Sequence, residues 1–392
     1  MEFHCLETNF ADRFLYYSPL EFQGAMRENR DQVVILQNYS SALQGIFQEV
    51  KIEETESEWV ILRTNRQKNG LPAFHFIEDA PQPDLYISSI TRIPQNNPIL
   101  GLLEKQVSLD NFDESSEAEI ISLLQQGHHA NAEFVAVYNV GQGNANAICD
   151  FNGIPMFYFD LGGGCYRNAR TYSRSLNYCF SYKPPILLSH WDTDHFQSAK
   201  MNKAYLAENW IVPNQKIGPV HFKFFLSITG TKLIWPHALT QIGFQWGIIE
   251  RCRGQLKEKN HSGLAFTAEL SPSFNYIRKV LLPADAAYIH IPSTNNNSYD
   301  GIVITHHGAE FDIGNVPVPY CRDFGANVLS YGKNNSYDHP RRMAVRSHIM
   351  SGWLKNKRRC TINGHIAMTT HMPVHGISCR GRICNLQITQ AF

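Results

Sequence analysis

Residues 184 to 197 read Pro-Pro-Ile-Leu-Leu-Ser-His-Trp-Asp-Thr-Asp-His-Phe-Gln. The apolar run Ile186 to Leu188, with prolines before it and polar residues after it, predicts a short buried strand. Beyond the strand stand His190, Asp192, Asp194 and His195, spaced H-x-D-x-D-H. In a loop past a strand tip these four side chains can converge on one point, whereas residues alternating across a sheet cannot. Two imidazoles and two carboxylates form a ligand set suited to divalent metals.

The same pattern of strand followed by polar turn recurs on both sides. Phe134 to Val140 predicts a strand running into Gly141-Gln142-Gly143-Asn144-Ala145-Asn146-Ala147-Ile148, and Pro155 to Phe159 predicts another that meets Asp160-Leu161-Gly162-Gly163-Gly164. The first glycine turn lacks the following GK[ST] of a phosphate loop, so that chemistry is not indicated. Gly141 and Gly143 are expected to let the backbone approach the ligand loop closely. Downstream, Val280 to Asp285 predicts a strand ending in a carboxylate, and Gly301 to Gly308 predicts one ending in His306 and His307. His261, in Asn260-His261-Ser262-Gly263-Leu264-Ala265-Phe266, fits equally a metal ligand or a turn residue entering a strand.

The H-x-D-x-D-H spacing resembles the H-x-H-x-D-H signature of metallo-β-lactamase-fold hydrolases, with Asp192 where the second His is usual. That form is found in the branch related to the soluble domain of competence-type DNA-uptake (ComEC) proteins. Four further segments are similar to motifs of that branch, in family order over about 131–392. The Gly141 turn resembles DVGQGDA, with Asn139 and Asn144 in place of its two Asp residues. Val280 to Asp285 resembles LLTGD, and Gly301 to Gly308 resembles VPHHGS. Leu329 to Pro340 resembles SVGxNNxYGHP, matching at Gly332, Asn334, Asn335, Tyr337, His339 and Pro340, with Asp338 where Gly is usual.

The resemblance implies an α/β fold, a metallo-β-lactamase-like αββα sandwich over 131–392, while the residues of 1–130 themselves suggest an additional α+β region and acidic connector. It also implies two divalent ions, with His190 and Asp192 facing one, Asp194, His195 and His306 facing the other, and Asp285 bridging them. Ions about 3.5 to 4 Å apart can hold a shared hydroxide as nucleophile, which makes Asp194 and Asp285 the expected catalytic carboxylates. The branch has no strict His in its third motif, so both readings of His261 stand. Asp192 hardens the ligand set and tilts it from zinc alone toward manganese or mixed occupancy (Zn2+ or Mn2+). His307, Asn334, Asn335 and His339 are expected to orient ligands or stabilise the transition state.

At 392 residues, 43% hydrophobic and 18% charged, the chain can bury a catalytic domain and an accessory one. Its formal net charge is zero, so a nucleic-acid partner must be argued from a local patch. One candidate is 341–359, where Arg341, Arg342, Arg346, Lys355, Lys357, Arg358 and Arg359 occur without Asp or Glu. A helix there, started by Pro340 and facing inward through Met343, Val345, Ile349 and Trp353, suits phosphate-backbone contact with Arg341 and Arg342 foremost. A solvated basic face is the plain alternative.

Nine cysteines without a C-x-x-C pair point to reduced thiols and a cytoplasmic location. The N-terminus lacks a signal-peptide pattern, and no apolar run approaches about 18 residues, so no membrane span is expected. In 1–103, strands are predicted at Val33 to Leu36, Trp59 to Leu62 and Tyr86 to Ile93, and short helices at Pro19 to Arg27 and Leu43 to Val50. This region is expected to position substrate or contact a partner protein, and Glu117 to Gln126 to form a connecting amphipathic helix. Three functions follow: a metal-dependent phosphodiesterase acting as a nuclease; a hydrolase of a small nucleotide, ester or lactone; or a catalytically weak binding protein on the same fold.

Overall fold

The computed structural model describes 107–392 apart from 128, 174–175, 256–257, 273–275, 296, 311–313 and 371–387. Before 107 it describes six strands and a few single positions. The two helices expected at Pro19 to Arg27 and Leu43 to Val50 lie outside the described residues. The chain divides into two compact units, Met1–Phe112 with Lys216–Phe225, and Asp113–Gln215 with Leu226–Phe392.

The first unit carries β1 (Glu2–Leu6), β2 (Arg13–Tyr16), β3 (Val34–Gln37), β4 (Glu58–Asn65), β5 (Leu71–His75) and β6 (Leu85–Arg92). They form one sheet in the order β1-β4-β6-β5-β3-β2. The strands expected near Val33, Trp59 and Tyr86 correspond to β3, β4 and β6. Helix α3 (Pro219–Ser227) falls mostly in this unit, where the rings of Phe222 and Phe225 pack on Phe112.

The second unit is a mixed α/β structure with two mixed sheets and few helices. The first sheet holds β7 (Phe134–Val137), β8 (Ala145–Cys149), β9 (Pro155–Leu161), β10 (Ile186–Leu187), β11 (Trp210–Pro213), β12 (Lys232–Trp235), β20 (His365–Met368) and β21 (Ile388–Gln390), in the order β12-β11-β10-β9-β8-β7-β20-β21. The second holds β13 (Gln241–Phe244), β14 (Gly247–Arg251), β15 (Leu264–Glu269), β16 (Lys279–Leu282), β17 (Gly301–Val303), β18 (Ala326–Leu329) and β19 (Arg358–Cys360), ordered β13-β14-β15-β16-β17-β18-β19. The helices are α1 (Glu117–Leu124), α2 (Gln197–Met201), α4 (Lys259–Ser262) and α5 (Arg342–Met350).

Alternation along the strands explains why both sheets are buried. Val280, Leu282 and Val303 join Phe157, Phe159, Leu187 and Ile211 of the other sheet in one core. The intervening Leu281 and Ile302 turn to a second cluster with Tyr288, Tyr299 and Trp353. Strands buried on two faces read as continuous apolar runs, and the parallel segments are β9 to β12 and β20–β21 in the first sheet and β16 to β19 in the second.

Helix α1, capped by a reciprocal Ser116–Glu119 box, forms where an amphipathic helix is expected and places Ile120, Leu123 and Leu124 in the core of the second unit. One local expectation is corrected. Helix α5 begins at Arg342, two residues after Pro340, and buries Ala344 and His348 while Met343 is exposed. Gly352, at φ 105°, ends that segment, so Trp353 reaches the core from outside the helix. Among the described residues, no helix is long and apolar enough to cross a membrane.

His348 ties α5 to the second sheet. Its Nδ1–H donates to the Ala344 carbonyl at 2.8 Å, so Nε2 accepts from the Tyr288 hydroxyl at 2.8 Å. Burial pushes His348 down to about 4; the Ala344 carbonyl opposes that shift and Arg358 adds to it. The folded chain therefore refuses a proton that the unfolded chain accepts near pH 6.5. This contribution to stability is complete above the unfolded value and declines as pH falls toward 4. Denaturant titrations at about pH 7 and about pH 4.5 should show some 2 kcal/mol less acid-induced loss in His348→Gln than in the parent chain. Equal losses would show that His348 does not contribute.

Candidate metal centre

The carboxyl ends of parallel strands from both sheets supply the polar cluster. After β10 come Ser189, His190 and Asp192, then a 3-10 turn, Thr193–His195, that carries Asp194 and His195. Asp160 stands near the end of β9. Asp285 follows β16, and the turn Thr305–Gly308 after β17 carries His306 and His307. Strand tips are where side chains from neighbouring β-strands can meet without interrupting a ladder.

Asp285 is the centre of the cluster and only 2% exposed. Its Oδ1 lies 3.2 Å from His195 Nε2 and 3.7 Å from His307 Nε2, and its Oδ2 lies 3.5 Å from His306 Nε2 and 3.9 Å from His190 Nε2. Asp194 Oδ2 is 3.5 Å from His307 Nε2. Two sets place their ligand atoms within 4.8 Å of one another: His190, His195 and Asp285, and Asp194, His195 and His307.

Three of the imidazoles are fixed from behind. The Ser189 hydroxyl donates to Asp160 Oδ2 at 2.8 Å, so it accepts from His190 Nδ1–H at 3.0 Å. His195 Nδ1–H donates to Asp160 Oδ2 at 2.7 Å, and His307 Nδ1–H donates to the Ser330 carbonyl at 2.8 Å. Each hydrogen bond assigns the proton to Nδ1 and leaves Nε2 as the ligating atom. These three Nε2 atoms and Asp285 Oδ1 are buried without a hydrogen-bond partner. Burying so many bare polar atoms together is costly, and a divalent cation would satisfy all of them. The residues therefore fit a metal.

Electrostatics point the same way. Burial would raise the Asp285 carboxyl, but His306, His195 and His307 hold it well below the ordinary carboxylate range. Burial opposes charge on His195, yet Asp285 and Asp160 outweigh it and hold this imidazole well above its usual range; Asp285 and Asp194 do the same, more weakly, for His307. A field that favours positive charge at Nε2 favours a metal there as much as a proton. Burial lowers His306, with Asp285 opposing.

Backbone geometry aims these groups. Asp160, Ala284, His306 and His307 have φ of 64°, 51°, 46° and 55°, each strained for a residue with a Cβ. The His306 N–H to Ala284 carbonyl bond, 2.9 Å, locks two of these turns together. Gly143, at φ 154°, lies where a Cβ would come within 2.6 Å of the Asp194 carbonyl, as expected for close approach to the ligand loop. Gly141 instead packs against Thr171.

The remaining sequence candidates separate clearly. Asp192 belongs to neither ligand set; its Oδ2 is 3.4 Å from His190 Nε2 and its Oδ1 is 3.3 Å from Lys259 Nζ. His261 lies outside both sets, its Nδ1 accepting from the Ala287 N–H at 3.3 Å and its ring stacked on His290. Burial pushes His261 down to about 4. His339 sits beside His306 and His307, with Nδ1 3.3 Å from Gln142 Nε2; burial, then those two rings, push it down to about 3.

Asn335 uses its amide on its own loop, accepting from the Tyr337 and His339 N–H groups and donating to the Gly332 and His339 carbonyls. Asn334 is exposed, as are Arg341 and Arg342. His307, expected among the orienting residues, joins a ligand set with Asp194.

Sequence reading missed Asp160, Ser189, Ser330 and Lys259. Asp160 ends an apolar strand in a carboxylate, the same signal that singled out Asp285. Asn144, one of the two departures from the family turn, donates to Asp160 Oδ2 at 3.2 Å and so supports the His195 anchor.

No family model matches the chain, and no curated protein matches it.

Asn tolerates the left-handed backbone of Asp160 and keeps its shape. Asp160→Asn should therefore fold but lower divalent-metal affinity by about ten- to a hundred-fold, as measured by competition with a chelating indicator. An unchanged affinity would remove Asp160 from the support of the centre.

Proposed function

We propose that this protein is a metal-dependent phosphodiesterase, acting as a nuclease, built on a metallo-β-lactamase-like sandwich. The observation that carries this reading is the buried convergence of His190, His195, His307 and Asp285, with Asp194 beside them and ligating atoms left without hydrogen bonds. Divalent metal bound there supplies Lewis-acid charge for a phosphoryl oxygen and activates water near neutral pH. Zinc and manganese both suit this donor set.

The chain's own residues would do the positioning. Asp160, Ser189 and the Ser330 carbonyl hold three imidazoles in one tautomer, and Asp285 keeps their Nε2 atoms turned inward. His306 and His339 stand at the same cluster with half-buried rings. The Arg341 N–H donates to the Gly308 carbonyl at 2.9 Å, which ties the start of the basic segment to the turn bearing His306 and His307.

Arg341, Arg342, Arg346 and Lys355 are exposed, Arg341 with its Nη1 3.5 Å from Asp338 Oδ2, and these four cations support a polyanionic substrate. Arg358 and Arg359 have structural partners: Arg358 Nε donates to Asn327 Oδ1 at 2.8 Å, and Arg359 Nε donates to the Ala391 carbonyl at 3.0 Å.

Asp194→Ala should lower hydrolysis of a polynucleotide by roughly a hundred- to a thousand-fold and reduce bound metal in parallel. Four phosphate contacts correspond to a fall in polynucleotide affinity of about a hundred-fold between about 50 and about 200 mM salt. Elemental analysis and salt-dependent binding assays check both. Full activity in a metal-free Asp194→Ala protein would refute the reading, and salt-independent cleavage of small phosphodiesters alone would move the substrate away from nucleic acid.

A further inference from the structure

Where the family resemblance leads one to expect a second ion, the structure has a lysine. Lys259 and Asp192 are each 8% exposed, and the Lys259 ammonium lies 3.3 Å from Asp192 Oδ1. The buried Gln215 side chain pins this pair. Its Nε2 donates to the Lys259 carbonyl at 2.7 Å and to Ser262 Oγ at 2.8 Å, and its Oε1 accepts from the N–H of Trp191, which separates His190 from Asp192. Of the four His and Asp residues of the H-x-D-x-D-H loop, Asp192 alone falls in neither ligand set.

We propose that the Lys259 ammonium takes the place of a second metal ion beside Asp192, so that the centre binds one divalent cation per chain. The inference rests on the metal-dependent reading above and deepens it by stating how many ions the site takes. A divalent ion beside Asp192 would meet the buried Lys259 ammonium already paired with that carboxylate, and the repulsion between the two is poorly screened there. The lysine is covalently part of the chain and is always the first to arrive. Its charge then stands next to the ion, where it can neutralise a phosphate oxygen as a point charge.

The test counts ions. Full-length protein, freed of metal with a chelator, is titrated with Mn2+ and separately with Zn2+ by calorimetry, with elemental analysis after desalting. The parent chain is expected to bind one ion. Lys259→Ala, which removes the ammonium beside Asp192, is expected to bind two. The double variant Asp192→Asn, Lys259→Met removes both charges together, avoids stranding one of them, and is expected to keep one ion. Circular dichroism establishes that each variant is folded; if Lys259→Ala is not, the parent and the double variant decide.

Two ions in the parent, one ion in folded Lys259→Ala, or loss of the ion in the folded double variant would each overturn the assignment of Lys259. No ion in the parent would overturn it together with the metal-dependent reading, whereas two ions would leave that reading standing.

Discussion

A carboxylate removed almost entirely from water governs the second unit. Asp285 cannot be ionised in the interior unless positive or polarisable groups gather round it, and His190, His195, His306 and His307 do so from two separate strand tips, those of β10 and β17. That requirement sets the register of the two sheets at this rim. The imidazoles in turn need anchors for their other nitrogens, which accounts for Asp160 near the end of β9 and for the buried carbonyl of Ser330 just past β18. Strained backbone at Asp160, Ala284, His306 and His307 is tolerated because each of these turns is held by hydrogen bonds on more than one side.

Much of this was legible in the amino-acid order. Parallel strands buried on both faces appear as unbroken apolar runs, so the polar residue at which each run stops is conspicuous; Ile186 to Leu188 before His190, Val280 to Leu282 before Asp285 and Ile302 to Ile304 before His306 all follow that rule. The glycine turn after β7 was readable for the same reason, since only a residue without a Cβ could lie against the Asp194 carbonyl.

Other features left no such trace. His306 and His307 are adjacent on one left-handed turn, and spacing cannot tell which ring reaches Asp194. Lys259 lies in a polar stretch with neither apolar period nor recognisable neighbours, and its meeting with Asp192 depends on Gln215, distant from both in the chain. The inner face of α5 is not readable from apolar residues alone: Ala344 and the histidine His348 form it, Met343 faces out, and Trp353 lies beyond the Gly352 turn that follows the helix. Helix α1 had the composition of a linker, and only the apolar surface of the two sheets beside it explains why it is buried.

The strand tips have a final consequence for how the molecule acquires its centre. Asp160, His195, Asp285, His307 and Ser330 are far apart in the chain and approach one another only when both sheets have closed. The loop after β10 carries Ser189, His190, Asp194 and His195 together, but the complete arrangement needs long-range pairing and the closure of long loops. Any cleavage of the chain between β9 and β18 would separate members of the cluster, and the integrity of the centre thereby serves as a built-in report on whether the entire two-sheet body has folded.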